Sequence, residues 1–308
     1  MKYLGGNQSM SFTLQIQSVL FKIEKSALLR TLENLQNAFR VDAEGAKFVK
    51  KAVLIWGDAS PEPLFTAQDI EELNKQFDRF TIQYEYFNEN TGTAKGHNKM
   101  AKMQDCECIM IMNPDIVVNP RIFAQLLQPF SDPTVGMTEA RQTPIEHHKE
   151  YDKETGETSW ASTACTIIPR AVYEKVGGFD EATFFMYCDD LDFSWMVRLA
   201  GYKIIYVPAA VVFHDKRISA NAQWQPTQAE RYYSAEAAIL MAYKWSNNER
   251  VEKLLKQFED SKGDIELKVV ESFYKRKEES RLPVQLDADH KIAEFVGDDY
   301  GYSRFKMG

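Results

Sequence analysis

No run of apolar residues in this chain approaches the length of a membrane span, which takes about 20 of them. The longest candidate, residues 202–213, is interrupted by Lys203 and Pro208, so a bilayer-crossing helix is not expected. Basic charge is also in short supply. Lys and Arg number 37 against 45 Asp and Glu, for a net charge of −8 and a pI near 5.3. Nucleic acid is therefore not expected as the main partner, because phosphate backbones bind basic surface. Cysteine is scarce, and Cys106, Cys108, Cys165 and Cys188 show no paired metal-ligand spacing. The first ten residues are polar and lack the apolar stretch of a secretory leader. Four buried, reduced thiols in a cytoplasmic protein are the expectation. What is present is material for a core: 44% hydrophobic and 12% aromatic residues in a chain of 308. That suits one large α/β domain, alone or with an appendage.

Strand-like and helix-like segments alternate. Residues 12–21, 49–56, 80–87 and 108–112 read as strands, and 28–39, 67–77, 97–103 and 120–130 as helices. In the first helix Leu28, Leu29, Leu32, Leu35 and Phe39 point inward. The second begins near Thr66, and the fourth has Asn119 as N-cap with Pro120 at its first position. This order implies a mostly parallel sheet with helices on both faces, binding ligands beyond the carboxyl ends of its strands. Shorter strands at 203–207 and 210–213 follow a further helix, and 221–308 reads as helical and rich in charge, with helices at 230–245, 249–258 and 265–279.

The polar motifs fall at the strand ends. After the third strand comes N-T-G-T-A-K-G-H-N, residues 90–98. As a loop before a helix, its Gly92 and Gly96 allow close backbone approach, and Lys95 and His97 add positive charge for an anion. Its spacing matches neither a P-loop nor a dinucleotide fingerprint. The fourth strand ends in Asn113, Pro114 and Asp115. These are turn formers, or else Asp115 is a hard oxygen ligand for Mg²⁺ or Mn²⁺. Farther on, Asp189, Asp190 and Asp192 open a helix whose stripe is Leu191, Trp195 and Leu199, ended by Gly201. One aspartate there serves as an N-cap. Two adjacent ones after Phe184, Phe185, Met186 and Tyr187 repel each other beside apolar surface, which raises a carboxylate pKa and suits a general base. His214 ends the last strand, as a structural residue or as a contact to metal or phosphate.

Taken in order, these motifs resemble the inverting family-2 glycosyltransferases of the GT-A fold over residues 11–217. The carriers are W-G-D-A-S (56–60), the 90–98 motif, N-P-D, V-G-G-F-D-E (176–181), the 189–192 acids, R-L-A-G-Y-K-I (198–204) and His214. The motif ending G-H-N is similar to the rhamnosyltransferase-type subgroup. The resemblance implies a catalytic domain over 1–220 and a helical extension over 221–308. It implies that Asp115 holds Mn²⁺ or Mg²⁺, with Asn113 in place of the first acid of the usual Asp-x-Asp, and that His214 contacts metal or phosphate. Asp190 aligns with the catalytic base, Asp189 with the neighbouring acid, and Asp58 with the acid that contacts the nucleotide. Asn90, Gly92, Gly96, His97 and Asn98 belong to the nucleotide side. Gly177, Gly178, Phe179 and Asp180 would shape the acceptor side, while residues 160–163 depart from the glycine usual there.

The implied donor is a dTDP- or UDP-sugar, carrying rhamnose or another hexose. The implied acceptor is a glycan or lipid-linked hydroxyl in cell-surface polysaccharide synthesis. Near the C-terminus, Lys275, Arg276, Lys277 and Arg281 lie beside Phe273, Tyr274 and Leu282. They form a solvated helical face, a homodimer contact through the C-terminal helices, or a peripheral contact with the inner membrane face. Two other classes stay in view. A nucleotidyltransferase needs a glycine- and lysine-rich signature near the first strand, which residues 21–29 lack. A non-catalytic sugar-nucleotide-binding module needs the acids only as caps.

Overall fold

A computed structural model describes residues 10–214 and 226–304. Its elements are β1 (Phe12–Leu20), α1 (Lys25–Glu44), β2 (Val49–Asp58), α2 (Ala67–Gln76), β3 (Thr81–Tyr86), α3 (Gly92–Ala101), β4 (Cys108–Met112), β5 (Ile116–Val118), α4 (Ile122–Leu127), β6 (Val135–Thr143), β7 (Cys165–Pro169), α5 (Arg170–Val176), α6 (Asp189–Leu199), β8 (Lys203–His214), α7 (Gln228–Lys244), α8 (Asn248–Ser261) and α9 (Asp264–Glu278). The strands form one sheet in the order β3-β2-β1-β4-β7-β6-β8-β5. Neighbours from β3 to β4 run parallel, as do β6 and β8, while β4/β7, β6/β7 and β5/β8 are antiparallel.

The central strand β1 is buried on both faces. Its apolar Leu14, Ile16 and Leu20 pack under α1, whose Leu28, Leu32, Leu35 and Phe39 complete that layer. Gln15 and Ser18, equally buried, escape the cost of an unmet polar group by donating to Met100 O at 2.7 Å and Met112 O at 2.6 Å. Leu29, expected inside, is 39% exposed. At the start of α2, Thr66 and Asp69 form a capping box, so the helix begins where the sequence places it.

Three sequence expectations change. Residues 90–98 are mostly helix: α3 starts at Gly92, five residues before the expected His97, and Gly96 lies inside it. A Cβ at Gly96 would come within 2.7 Å of Val19 on β1, so this glycine serves close helix–sheet packing. The two short strands expected after residue 202 are one, β8, whose register against β6 slips between Ala140 and Arg141, opposite the stretch holding Pro208. Proline cannot donate to the ladder, and a bulge absorbs it. The fourth helix is shorter than expected. Asn119 Oδ1 accepts from Arg121 N at 2.8 Å in the turn that holds Pro120, and α4 then gives way to a 3-10 turn (Gln128–Ser131).

Helix α6 is enclosed on two sides. Phe193 and Val197 pack towards the sheet layer. Leu191 and Trp195 join a second core with Leu240 and Met241 of α7, Trp245 just after it, Val251 and Leu254 of α8, and Val269 and Phe273 of α9. Leu199, expected in the buried stripe, is 45% exposed. The C-terminal helices are present, and the expected division at residue 220 lies outside the described residues. Phe273 is core, and Arg276 and Arg281 pair with Glu236 and Glu279. Among the described residues no helix is long and apolar enough to cross a membrane. Cys106, Cys108 and Cys165 are buried free thiols, and Cys188 is a half-buried one.

Candidate active site

Strand β4 ends at Met112, and Asn113 continues it by donating its backbone N–H to Ala164 O at 2.9 Å. Strand β5 then pairs Ile116 with His214, which brings the N-P-D turn against the end of β8. His214 Nδ1 lies 3.0 Å from Gln142 Oε1, an acceptor, so that nitrogen carries the proton. Nε2 then faces Asn113 Nδ2 at 3.2 Å and Asp115 Oδ1 at 3.4 Å with its lone pair. Imidazole and carboxylate present two electron-pair donors to one point, the arrangement a divalent cation fits, with the second ring nitrogen anchored as metal-binding histidines usually are. Asp115 and His214 thus come together as the sequence predicts. Among the described residues there is no cluster of three or more His, Cys, Asp or Glu able to hold a metal. The donor set therefore suits an ion shared with substrate phosphate oxygens rather than one caged by protein.

The acid pair sits at the head of α6. Its N-cap is Cys188, in a left-handed conformation with φ 56° and no side-chain cap, so neither aspartate occupies the N-cap position. Asp189 is buried and accepts from Thr93 Oγ1 at 2.6 Å. Burial, then the adjacent Asp190 charge, push its pKa up. Asp190 accepts from the backbone N–H of Leu191 at 2.8 Å and of Thr163, and burial pushes its pKa up as well, while Lys149 draws it down. A partly buried carboxylate with a raised pKa can take a proton from a hydroxyl.

The nucleotide-side residues are placed differently from expectation. Asp58, at the end of β2, is fully buried, and its oxygens accept from Ser60 N and Leu64 N at 2.9 Å each and from Tyr84 Oη at 2.5 Å. It shapes the turn through residues 59–65. Asn90 is exposed and accepts from Gly92 N at 3.3 Å. Lys95 and Lys99 both pair with Glu89, so Lys95 does not supply the free positive charge expected of it. His97 does not either: it is buried beside Gln17 Oε1 at 3.2 Å, and burial pushes its pKa down to about 3, leaving it neutral. Asn98 is saturated, accepting from Tyr173 Oη and Phe179 N and donating to Phe179 O and Glu181 Oε2. It ties α3 to the G-G-F-D-E loop.

That loop lines a cavity of about 430 Å³ with Asn98, Asp192 and Lys244, and its lining includes none of Asp58, Asn113, Asp115, Asp189, Asp190 or His214. Asp180 and Asp192 share Lys244, each at 2.8 Å, and Trp245 Nε1 donates to Asp192 at 2.9 Å. Asp192 therefore locks α6 to α7, a role apart from the acid pair beside it.

Sequence reasoning missed Thr93, Glu139 and Lys149. Lys149 Nζ lies 2.6 Å from Glu139 Oε2 and 3.9 Å from the centre of the Trp160 ring, and both charged groups are buried. Glu139 also accepts from Ser162 N at 2.9 Å. Residues 160–164, where the chain departs from its expected glycine, thus touch Lys149, Glu139, Asp190 and the N-P-D turn. No local signal marks Lys149 and Glu139, which lie ten residues apart in sequence and meet only through the fold.

No protein-family model matches the chain. The N-acetylglucosaminyl-diphospho-decaprenol L-rhamnosyltransferase of Mycobacterium tuberculosis is 40% identical over 62 residues, 20% of this chain and 20% of that protein. The O-antigen chain rhamnosyltransferase RfbN of Salmonella typhimurium is 24% identical over 197 residues, 57% of this chain and 60% of that one. The matched stretches thus span a fifth to three fifths of these curated relatives. Among solved structures, the mannosyltransferase PcManGT from Pyrobaculum calidifontis, in complex with GDP-Man and Mn²⁺, superposes with a TM-score of 0.56 at 15% identity, covering 74% of this chain and 62% of its own. GalNAc-T7 with UDP, GalNAc and Mn²⁺ gives 0.62 at 15% identity, covering 92% and 57%. These likenesses show the GT-A fold of glycosyltransferases, and over part of its length the chain is similar in sequence to rhamnosyltransferases.

Proposed function

We propose that the chain is an inverting glycosyltransferase that moves rhamnose or another hexose from a dTDP- or UDP-sugar to a hydroxyl of a glycan or lipid-linked acceptor in cell-surface polysaccharide synthesis. One observation carries the reading: Asp190, in the first turn of α6 and raised in pKa, is joined through residues 160–164 to the turn that holds Asn113 and Asp115. A hydroxyl is a poor nucleophile at neutral pH, so Asp190 takes its proton as the glycosidic bond forms. Asp189, held by Thr93, stays beside it and keeps its proton affinity high. A single displacement inverts the anomeric carbon, with no sugar–enzyme intermediate. Asp115 and His214 would hold Mn²⁺ or Mg²⁺, which supplies positive charge where the departing diphosphate becomes negative. In this reading Asp58, Asn90, Gly92, Gly96, His97 and Asn98 build the walls around the nucleotide rather than its charged contacts. Residues 1–220 carry the chemistry and 221–308 brace it, at the inner face of the membrane or as a homodimer through the C-terminal helices.

The test is donor breakdown by the purified protein with a panel of dTDP- and UDP-sugars and Mn²⁺. Release of nucleoside diphosphate supports a transferase. Release of pyrophosphate instead favours a nucleotidyltransferase, and donor binding with neither product a sugar-nucleotide-binding module.

A further inference from the structure

Asp190 is surrounded by charge of its own sign. Asp189 faces it from its own helix and Glu139 from β6, while the Cys188 thiol just before the helix is kept neutral by burial, which pushes its pKa up to about 12. Lys149, on the segment between β6 and β7, faces Asp190, Glu139 and Glu146. Among these groups Lys149 is the cation: burial pushes its pKa below the usual lysine range, and the charges of Glu139 and Asp190 oppose that fall. Its ammonium is buried, 2.6 Å from Glu139 Oε2 and 3.9 Å from the Trp160 ring centre, where an aromatic face attracts a cation. The backbone around it is pinned by the C-terminal segment. Lys149 pairs with Ser303 in an antiparallel bridge, Glu150 N donates to Tyr302 O at 2.7 Å, and Arg304 N donates to His148 O at 2.9 Å. The partners of Lys149 and of Asp190 are also continuous. Ser162 N donates to Glu139 and the next residue, Thr163, donates to Asp190. A fixed cation is thus held beside the base by the same stretch of chain that orients the base.

Burying a lysine is costly, and a site that needed only packing would be filled by an apolar residue. We propose that Lys149 is a positioning residue for the base, a fixed positive charge that keeps the Asp190 carboxylate ionised and in place at neutral pH. The proposal rests on Asp190 being the base. The sign follows directly: a neighbouring cation lowers a carboxylate pKa, so its loss raises the pH at which Asp190 becomes a competent proton acceptor.

The experiment is a pH–rate profile of nucleoside diphosphate release for wild type, Lys149→Gln and Lys149→Arg. Lys149→Met serves as a second neutral variant, because Glu139 can protonate beside a methionine instead of remaining an unpaired buried charge. In the neutral variants the acid limb of kcat moves up by about one pH unit. Turnover falls about tenfold at pH values below the wild-type limb and recovers above the shifted one, with donor KM unchanged. Lys149→Arg keeps the wild-type limb. An equal loss at every pH, or an unmoved limb, overturns the proposal, since a purely structural lysine gives that result. Asp190→Asn run in parallel separates the two claims. If it keeps wild-type turnover, the assignment of the base fails. If it is inactive while the Lys149 profiles stay put, only this inference fails.

Discussion

At Asp115, a turn residue and a metal ligand differ in what the side chain does for donor binding. Asp115 is the acid of N-P-D and faces the lone pair of His214 Nε2 at 3.4 Å. Asp115→Ala should abolish the Mn²⁺-dependent rise in melting temperature with a sugar nucleotide while leaving the metal-free melt unchanged. Undiminished stabilisation by Mn²⁺ and donor together would return Asp115 to the turn. His97 makes a second prediction. Its pKa falls from 6.5 to about 3 on burial, so the unfolded chain binds a proton that the folded one refuses. The stability of the neutral form is therefore complete above about pH 6.5 and is lost as pH falls towards 3. His97→Gln should flatten the decline of melting temperature between about pH 6 and 4. An unchanged slope would mean that His97 is not kept neutral.

Among the elements, α6 is held firmly because both of its sides are occupied. The Lys244 ammonium shared by Asp180 and Asp192 fastens it to α7, and all three are at least partly buried. Lys244→Met leaves Asp192 buried with Trp245 as its remaining donor. It should cost about 3–5 kcal/mol in urea unfolding, against about 1 kcal/mol for the exposed Lys75–Glu71 pair. Equal costs would show that the triad adds nothing. How much of each element was legible depended on how local its signal is. The unbroken apolar run C-I-M-I-M marked β4 to the residue, and Thr66 marked the start of α2. Strand β6 was missed because its buried Glu139 and Gln142 read as surface, their partners Ser162, Lys149 and His214 being remote in sequence. Helix α3 was shortened in the sequence reading because Gly92 and Gly96 look like a loop until Val19 and Phe185 are seen against them.

Over the whole molecule, the sheet order places the ends of β2 and β4, the turn to β5 and the head of α6 along one edge, where open α/β sheets bind ligands. The acids were legible because each closes an element: Asp115 after a strand, Asp189 and Asp190 before a helix. What surrounds them was not. The partners of Asp190, namely Lys149, Thr163 and the Glu139 that pairs with Lys149, come from separate stretches brought together only by folding. Inverting transfer by this site requires Asp190 as base. The direct measurement is turnover of Asp190→Asn and Asp189→Asn, with donor affinity determined alongside. Asparagine keeps the shape of the site and cannot accept the proton. Turnover of Asp190→Asn should fall by about two to four orders of magnitude with donor affinity retained, and Asp189→Asn should be milder. Near-wild-type transfer in both variants would contradict it.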